Sequence, residues 1–222
     1  MVVSRQGERA REVLLDAAEE LYACHGIDAV SSRRITEHAG TANHSAIAYH
    51  FGNRDGLLRA LIERSVLPVD ARRKQLVAEL GEDAGLREVL ACRILPWLEH
   101  LGQLPAPSWR ARFLFQVRTV PSVGELLTDS LLHVEDIERL NLRTGEQLEG
   151  IPAVVLRARS GIMGHLVLGI SSQYEQRIHE GVEQPDWLAV GYFLLDTCVG
   201  MISAPSTQRA DFMVTPLSPT FI

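Results

Sequence analysis

The chain has 222 residues, of which 46% are hydrophobic and 23% charged, and its formal net charge at pH 7 is −6. This composition is ordinary for a soluble protein, and the length leaves room for a small domain and a larger one, each with its own core. The N-terminus is too polar for a secretory signal, and the longest apolar runs, 161–170 and 192–202, are short and contain His165 and Asp196, so we expect a cytoplasmic protein.

The first predicted helix is amphipathic, with apolar residues at the i, i+3, i+4, i+7 spacing. These residues are Val13, Leu14, Ala17, Ala18 and Leu21. Gly26 followed by Ile27 is a stop signal. Upstream, Arg5, Arg9 and Arg11 could form an arm that touches the DNA backbone or minor groove, or a flexible solvated tail.

Two short helices joined by a tight turn are predicted over 31–52. The hydroxyl of Ser31 or Ser32 can accept a backbone N–H at the start of the first helix, and Gly40 can take the left-handed conformation that closes it. The second helix is predicted over about 43–50. Together they make the pattern with which a helix-turn-helix reads DNA.

The second of these helices carries the side chains that could read bases. Ala46 and Ile47 turn to the core, and the outward face is polar and aromatic. That face consists of His44, Ser45, Tyr49 and His50. Asn43 could pair with adenine N6 and N7, while His44 and Ser45 can donate or accept at several base edges. As alternatives, His44 and His50 could be solvent-facing or helix-capping imidazoles.

Arginines occupy the first turns of the predicted helices, where the positive end of the helix dipole makes a cation mildly unfavourable. Arg33 and Arg34 lie at the start of the first helix of this pair, and Arg54 lies at the start of the fourth predicted helix. A phosphate held between a helix N-terminus and a guanidinium explains both features. The alternative is a pair with a nearby carboxylate such as Glu37 or Asp28. Because no arginine lies on the second helix to bind guanine, phosphate contacts should supply most of the affinity, which should weaken steeply with salt.

Net charge is distributed unevenly along the N-terminal quarter. Residues 1–11 carry +2, residues 12–28 carry −5, and residues 29–54 carry +2. The positive charge therefore lies in the N-terminal arm and the reading motif, and the acidic first helix should face away from DNA.

The run from 13 to 61 resembles the N-terminal DNA-binding domain of the TetR (tetracycline repressor) family of bacterial transcriptional regulators. The residues that carry the resemblance are Leu14, Ala17, Ala18, Leu21, Tyr22, Gly26, Ser32, Arg33, Ile35, Ala39, Gly40, Ile47, Tyr49, His50, Phe51 and 53–58. The sequence departs from the commoner pattern at Ala48 and Tyr49 and has a longer turn at 41–43, which leaves the register of base contacts open by about one residue.

The resemblance implies a role for each residue of the predicted interface. Ser32 and Arg33 would meet the DNA backbone or an adjacent base. Base edges would be approached by Asn43, His44, Ser45 and Ala46. Phosphates would be held by Tyr49, His50 and Arg54.

The remainder of the chain is predicted to be helical, which makes the fold all-α: a three-helix helix-turn-helix head followed by a larger helical ligand-binding and dimerisation domain. Asn53 should cap a fourth helix that ends beside Pro68, where the helical path must kink or break. Further helices are predicted near 69–80, 86–101, 107–120, 122–145, 152–180 and 185–203. The domains are then 1–67, with the fourth helix as connector, 68–203, and a loose tail over 204–222.

The last two long predicted helices are unusually apolar and carry several glycines that would allow a close helix–helix approach. A two-fold interface between two chains would cover them, as in the usual dimer of the family that the chain resembles. The candidate interface residues are Ile162, Leu166, Ile170, Leu188, Phe193 and Leu194. Burial within one chain is the alternative.

The same resemblance implies a small-molecule pocket in the middle of the chain. Its candidates are Trp97, Trp109, Phe113, Phe115, Gln116, His133 and His165. Aromatic residues at helical spacing are more often plain core, which is the alternative for each of them. A mostly apolar pocket favours a hydrophobic or amphipathic effector.

The three cysteines, Cys24, Cys92 and Cys198, form no CxxC pair and lack the spacing of metal ligands, so no metal site is expected. They are interpreted as reduced packing residues, with a redox-sensing thiol as the alternative. Common catalytic and cofactor motifs do not occur, so neither an enzyme nor a cofactor is expected.

The sequence therefore predicts a dimeric transcriptional regulator, most simply a repressor that a small molecule releases from an inverted-repeat operator in double-stranded DNA. Such a protein would be associated with the nucleoid when bound. A regulator that is constitutive or controlled by a protein partner is the alternative.

Overall fold

A computed structural model describes residues 5–41, 43, 45–120, 123 and 134–207 of the chain. Its helices confirm the predicted all-α class. In chain order they are α1 (Arg5–His25), α2 (Ser32–His38), α3 (Ala46–Phe51), α4 (Arg54–Glu79), α5 (Leu86–Gln103), α6 (Arg110–Thr119), α7 (Val134–Gln147), α8 (Ala153–His179) and α9 (Trp187–Ser203).

The chain divides into two compact units. The head unit comprises residues 1–65 and 109–130, and the body unit comprises 66–108 and 131–222. The chain therefore leaves the head near the predicted boundary at 67, but it returns to contribute α6, which the sequence had assigned to the second domain. Most of the predicted tail, together with much of the helix predicted over 122–145, lies outside the described residues.

Apolar side chains of α1 form the centre of the head. Leu14, Leu15, Ala18 and Tyr22 are almost completely buried, whereas Val13 is 43% exposed. The predicted stripe is confirmed at Leu14, Ala17, Ala18 and Leu21, whereas Leu15 rather than Val13 completes it. Helix α6 packs against α1, and its buried Phe113 stacks on Tyr22 with ring centroids 6.2 Å apart.

The fourth helix does not stop at Pro68. It continues through this residue to Glu79, so the prediction of a helix end there is wrong. A proline lacks the N–H that would bind the carbonyl four residues earlier, here that of Arg64. The guanidinium of Arg110 donates to that carbonyl at 3.0 Å instead, which satisfies it without a break in the helix.

In the body unit α5 packs against both α7 and α9. Its Trp97 is fully buried and donates from Nε1 to Ser171 Oγ of α8 at 3.1 Å. Close approach of α9 to α5 depends on Gly191, where a Cβ would come within 3.2 Å of Leu98 Cβ.

Arg93 of α5 is a buried polar centre of the body unit. Its guanidinium donates to Asn141 Oδ1 of α7 at 2.7 Å and to Ser160 Oγ of α8 at 2.9 Å. Burial lowers the pKa of Arg93 to about 9, and the nearby Arg73 acts in the same direction. These bonds fix the relative positions of three helices.

Candidate nucleic-acid interface

The first helix of the reading motif starts and ends as its sequence predicts. Ser31 is the N-cap of α2, and its Oγ accepts the backbone N–H of Arg34 at 3.2 Å. After the helix, Gly40 has a φ of 67°, a conformation that glycine adopts without a steric penalty. The predicted signals for the start and the end of this helix are therefore both confirmed.

The turn before the reading helix is longer than predicted. The side chain of Thr41 accepts the N–H of Asn43 at 3.2 Å, and Oδ1 of Asn43 accepts the N–H of Ser45 at 3.0 Å. These side chains replace helical hydrogen bonds, so α3 begins at Ala46 rather than near residue 43. Asn43 and Ser45 are exposed in this turn, while His44 lies outside the described residues.

Along α3 the side chains separate into a buried and an exposed side. Ala46 and Ile47 are 6% and 3% exposed, which confirms that both lie in the core. The buried side chain of Ala46 is not accessible to a base edge in this conformation. Tyr49 is 81% exposed. Its ring meets that of His50 edge-on, with centroids 4.9 Å apart. The pair gives α3 an aromatic surface with hydrogen-bonding capacity.

The two arginines of α2 lie on the surface. Arg33 donates from Nε to Glu37 Oε1 at 2.7 Å, and this hydrogen bond raises the pKa of Arg33. The carboxylate pair anticipated as an alternative is thus formed in the free protein. An exposed pair of this kind is weak and can exchange Glu37 for a phosphate. Arg34 is exposed, and Ser32 is half-buried.

Arg54 is turned toward the head rather than away from it. Its Nη2 donates to the backbone carbonyl of Ile27, and its guanidinium lies 5.9 Å from the centre of the Tyr22 ring. The half-buried Arg54 thus holds the start of α4 onto α1. The neighbouring Asn53 accepts the N–H of Gly56 at 2.8 Å, which confirms the predicted cap of α4.

The predicted N-terminal arm is part of a helix in the described structure, since Arg5, Arg9 and Arg11 all lie in the first turns of α1. The guanidinium of Arg11 stands 5.1 Å from the centre of the Phe51 ring, which connects α1 to the end of α3. Arg9 lines a surface groove of about 380 Å³, together with Asn43 and His50. A cation of α1 therefore borders the reading turn.

The candidates for a ligand pocket are not brought together in one unit. Trp97 and His165 belong to the body, whereas four others belong to the head unit. Those four are Trp109, Phe113, Phe115 and Gln116. The fully buried Trp97 and Phe113 are core residues, as the alternative interpretation held. His165 is exposed on α8, and His133 lies outside the described residues.

The candidate dimer face is exposed for part of the predicted set. Ile162, Leu188 and Phe193 are 45%, 50% and 65% exposed, and Leu166 and Ile170 are half-buried. Leu194 is fully buried within its own chain, because it lies on the inner side of α9, so its assignment to the interface is wrong.

Helix α8 has the length and composition of a membrane-spanning helix, and only a third of its most apolar window is buried within the chain. Two of its polar side chains, Ser160 and Ser171, are bonded to Arg93 and Trp97 of α5. Because these contacts build α8 into the helical body, its exposed apolar side is a surface that a protein can cover.

The thiols provide little support for a redox sensor. Cys92 and Cys198 are buried and Cys24 is exposed. Burial raises the pKa of all three thiols, that of Cys198 to about 11. A reactive cysteine instead has a depressed pKa. Among the described residues there is also no cluster of histidine, cysteine and acidic side chains able to hold a metal ion.

Comparison with known proteins agrees with the geometry of the head. Residues 14–61 match the model of the bacterial regulatory proteins of the tetR family. The HTH-type transcriptional repressor AcnR of Corynebacterium efficiens is 26% identical over 190 residues, which are 80% of this chain and 94% of that protein. The AcnR of Corynebacterium glutamicum is 26% identical over 183 residues, 78% of this chain and 90% of that protein.

Solved structures share the fold at lower identity. The fatty acid degradation regulator FadR from Bacillus halodurans is similar with a TM-score of 0.59 and 15% identity, over 85% of this chain and 97% of that one. NalD, the secondary repressor of the MexAB-OprM multidrug efflux pump in Pseudomonas aeruginosa, has a TM-score of 0.57 and 22% identity, over 87% and 95%. FadR from Bacillus subtilis in complex with stearoyl-CoA has a TM-score of 0.56 and 18% identity, over 86% and 98%.

The head therefore has the sequence of a known DNA-binding domain as well as a capped helix-turn-helix with an exposed reading side. Relatives that match most of the chain are transcriptional repressors and not enzymes. Over residues 14–61 the chain carries the DNA-binding domain of the bacterial regulatory proteins of the tetR family, and over most of its length it is similar to transcriptional repressors.

Proposed function

We propose that two copies of this chain bind an inverted-repeat operator and repress transcription until a small hydrophobic or amphipathic molecule releases them. The observation that carries the proposal is the exposed side of the reading motif. There Tyr49, 81% exposed, stands beside His50 and follows the exposed Asn43 and Ser45. These side chains offer donors, acceptors and rings to a DNA groove.

Cations around this surface supply the attraction to phosphate. Arg34 and Arg33 lie at the start of α2, and Arg9 lies beside the reading turn. Arg54 is held by the Ile27 carbonyl and supports the head from within, so its phosphate contact requires a rearrangement of this bond. The proposal therefore assigns the phosphate contacts first to Arg33, Arg34 and Arg9.

The exposed apolar side of the last two helices supports the dimer. The large apolar side chains of Leu188 and Phe193 on α9 are at least half exposed, and Ile162 on α8 is comparably exposed. A second copy related by a two-fold axis would cover the same residues on both chains. Two heads then read twice the sequence that one can read, which is why the operator should be an inverted repeat.

Repression and the effector rest on similarity. The AcnR proteins of Corynebacterium are described as repressors, and the Bacillus subtilis FadR structure contains stearoyl-CoA. An acyl chain with a polar head is the hydrophobic or amphipathic type of molecule that the sequence favours. If the body domain has two arrangements and the effector binds only one of them well, the effector would shift the population away from the DNA-bound form. Association with the nucleoid would follow from operator binding.

Selection of duplexes from a random pool by the full chain tests DNA recognition. We expect an enriched inverted repeat, and an affinity that falls linearly with salt on logarithmic axes. Arg34→Ala should lower the magnitude of this slope by about 2, since each of the two copies loses one phosphate contact. The matched control is Arg87→Ala, which removes an exposed arginine of the body unit and should leave the slope unchanged.

Two results would reject the DNA-binding surface proposed here. One is the enrichment of no sequence by the folded full chain. The other is an equal change of slope for Arg34→Ala and Arg87→Ala, because a cation of the body unit would then matter as much as one beside the reading helix.

Stearoyl-CoA serves as the first probe for the effector, with free coenzyme A as the control that lacks the acyl chain. We expect stearoyl-CoA to weaken binding to the selected duplex and coenzyme A to have no effect. An unchanged operator affinity at saturating stearoyl-CoA would exclude this ligand class, and a chain that no metabolite releases would favour the constitutive or partner-controlled alternative.

A further inference from the structure

We propose that Glu19 is a positioning residue that sets which half-site spacing the two heads accept. It does not contact DNA in this scheme but acts through Arg64 and Arg110. The inference rests on the proposed function, because spacing has a meaning only for a dimer on an inverted repeat.

Glu19 is an acidic residue on the buried side of α1, with 5% of its surface exposed. Its two carboxylate oxygens accept hydrogen bonds from Arg110 Nε and Nη2 of α6, the second at 3.3 Å. Arg64 of α4 donates to the same carboxylate from Nη2. One carboxylate therefore joins three helices of the head unit.

Arg64 extends this network to the surface. Its Nη1 donates to Asp16 Oδ1 at 2.7 Å and lies 3.4 Å from Glu12 Oε2. Burial lowers the pKa of Arg64, but the charges and hydrogen bonds of Glu19 and Asp16 outweigh it, so the pKa is raised. The guanidinium is thus held in its charged form along one side of α1.

Besides its bonds to Glu19, Arg110 makes a hydrogen bond to the backbone of α4. Its Nη1 donates to the carbonyl of Arg64, the group that Pro68 cannot bind. A single guanidinium therefore determines both the distance from α6 to α1 and the position of α4 next to its proline. Pro68 leaves this carbonyl without its usual helical donor, and the hydrogen bonds to Glu19 orient the guanidinium that takes its place.

Two arginines of the network are next in sequence to the residues at which the head unit ends and resumes. The head ends at Ser65 and resumes at Trp109, each of which is adjacent to one arginine of the network, Arg64 or Arg110. The position of a head in a dimer is determined by the segments that connect it to the rest of its chain. Glu19 holds both of these segments on α1.

Ionic hydrogen bonds are suited to this task because they are directional. An apolar contact tolerates sliding and rotation, whereas a carboxylate bound by a guanidinium through two parallel hydrogen bonds has a fixed geometry. Replacement of Glu19 by glutamine removes the charge that holds two arginines and should loosen α4 and α6 on α1, while the reading helix α3 keeps its own contacts.

The experiment compares Glu19→Gln with the wild-type chain on three duplexes. These are the duplex that the wild type selects, the same duplex with one base pair inserted between the half-sites, and a single half-site. We expect unchanged half-site affinity and a preference for the selected over the inserted duplex that falls by about fivefold or more. A purely structural role would weaken binding to all three duplexes by the same factor and would overturn the inference.

Glu99→Gln is the matched control. Glu99 also pairs with an arginine of α4, through Oε2 at 2.7 Å from Arg72 Nε, but both residues of this pair belong to the body unit. Its preference between the selected and inserted duplexes should equal that of the wild type. An equal loss in both variants would overturn the inference, since any pair on α4 would then have the same effect.

Arg110→Lys provides the second variant in case Glu19→Gln does not fold. It keeps a cation beside Glu19 but cannot bind both carboxylate oxygens and the Arg64 carbonyl in the same planar geometry. We expect the same loss of spacing preference at unchanged half-site affinity, and an unchanged preference would overturn the inference. If the wild-type chain selects no two-fold repeat, the proposed function itself fails. If the wild type selects such a repeat but the variants keep its spacing preference, only the inference about Glu19 fails.

Discussion

Arg33, Arg34 and Arg54 each stand in the first turn of a helix, but their surroundings differ. Arg33 is exposed and pairs with Glu37, while Arg54 donates to the Ile27 carbonyl and lies beside the Tyr22 ring. At the same position in a helix, Arg33 is therefore a surface residue, whereas Arg54 stabilises the packing of the head. What separates them is the segment of chain that happens to lie opposite.

At the residue scale the cap of α2 is a measurable contribution to stability. Ser31→Ala removes the oxygen that accepts the Arg34 N–H, so we expect the free energy of unfolding to fall by about 1 kcal/mol. Ser45→Ala is the control, because Ser45 precedes α3 without a side-chain capping bond. Urea unfolding of both variants checks this. Equal losses would show that the hydroxyl of Ser31 does not act as a cap.

The three thiols should differ in accessibility. At pH 8 we expect a disulfide reagent to label only Cys24 in the native chain and all three cysteines after unfolding, because Cys92 and Cys198 are buried. The labelling rate of Cys24 should continue to rise at pH values where an ordinary thiol is already ionised, since burial raises the pKa of Cys24 and the thiolate is the nucleophile. Cys24→Ser should abolish native labelling, and a fast reaction at neutral pH would contradict the raised pKa.

Local signals in the sequence predict local structure well. The cap at Ser31, the left-handed Gly40 and the cap at Asn53 depend on residues one to three positions away, and the structure contains all three. The role of Arg54 depends on a carbonyl 27 residues earlier. Glu19 gave a partial signal, because it is a charged residue on the buried side of an amphipathic helix, but its arginine partners are distant in sequence.

At the scale of helices, tertiary contacts override two local expectations. Pro68 does not end α4, because Arg110 replaces the missing donor. The reading helix starts later than expected, because Thr41 and Asn43 use their side chains to make turn hydrogen bonds. The first could not be predicted without knowing that α6 lies next to α4. The second was encoded locally, by two residues that favour turns over helix.

Helix α9 gives a test of close packing in the body unit. In Gly191→Ala the new Cβ would lie 3.2 Å from both Leu95 Cδ2 and Leu98 Cβ, so these side chains must give by a few tenths of an ångström. We expect a net loss of stability of about 1 to 3 kcal/mol, as is typical of an overpacked core. Gly145→Ala in α7 has no atom within 4 Å and should be neutral or stabilising by up to about 1 kcal/mol. Thermal unfolding distinguishes them, and equal effects would contradict the tight α5–α9 contact.

At the scale of the whole molecule, the division of the chain differs from a simple order of head and then body. Helix α6 follows α5 in sequence but belongs to the head unit, where Phe113 stacks on Tyr22. The sequence could not reveal this, because an apolar stripe shows that a helix is covered and not which helix covers it. The same limit explains why the predicted pocket residues are divided between two units and why Leu194 is buried within its own chain.

Whether a second copy covers the exposed side of α8 and α9 is a property of the whole molecule. Phe193→Glu places a charge where a large ring is 65% exposed, and burial of an unpaired charge in an interface is strongly unfavourable. We therefore expect this variant to sediment as a monomer, to keep its half-site affinity and to lose its advantage on the inverted repeat. Leu142→Glu is the control, because Leu142 is 70% exposed on α7, and it should remain a dimer. If Phe193→Glu also remained dimeric, the two-fold contact would have to lie on another face, and the exposed apolar residues of α8 and α9 would need a different partner.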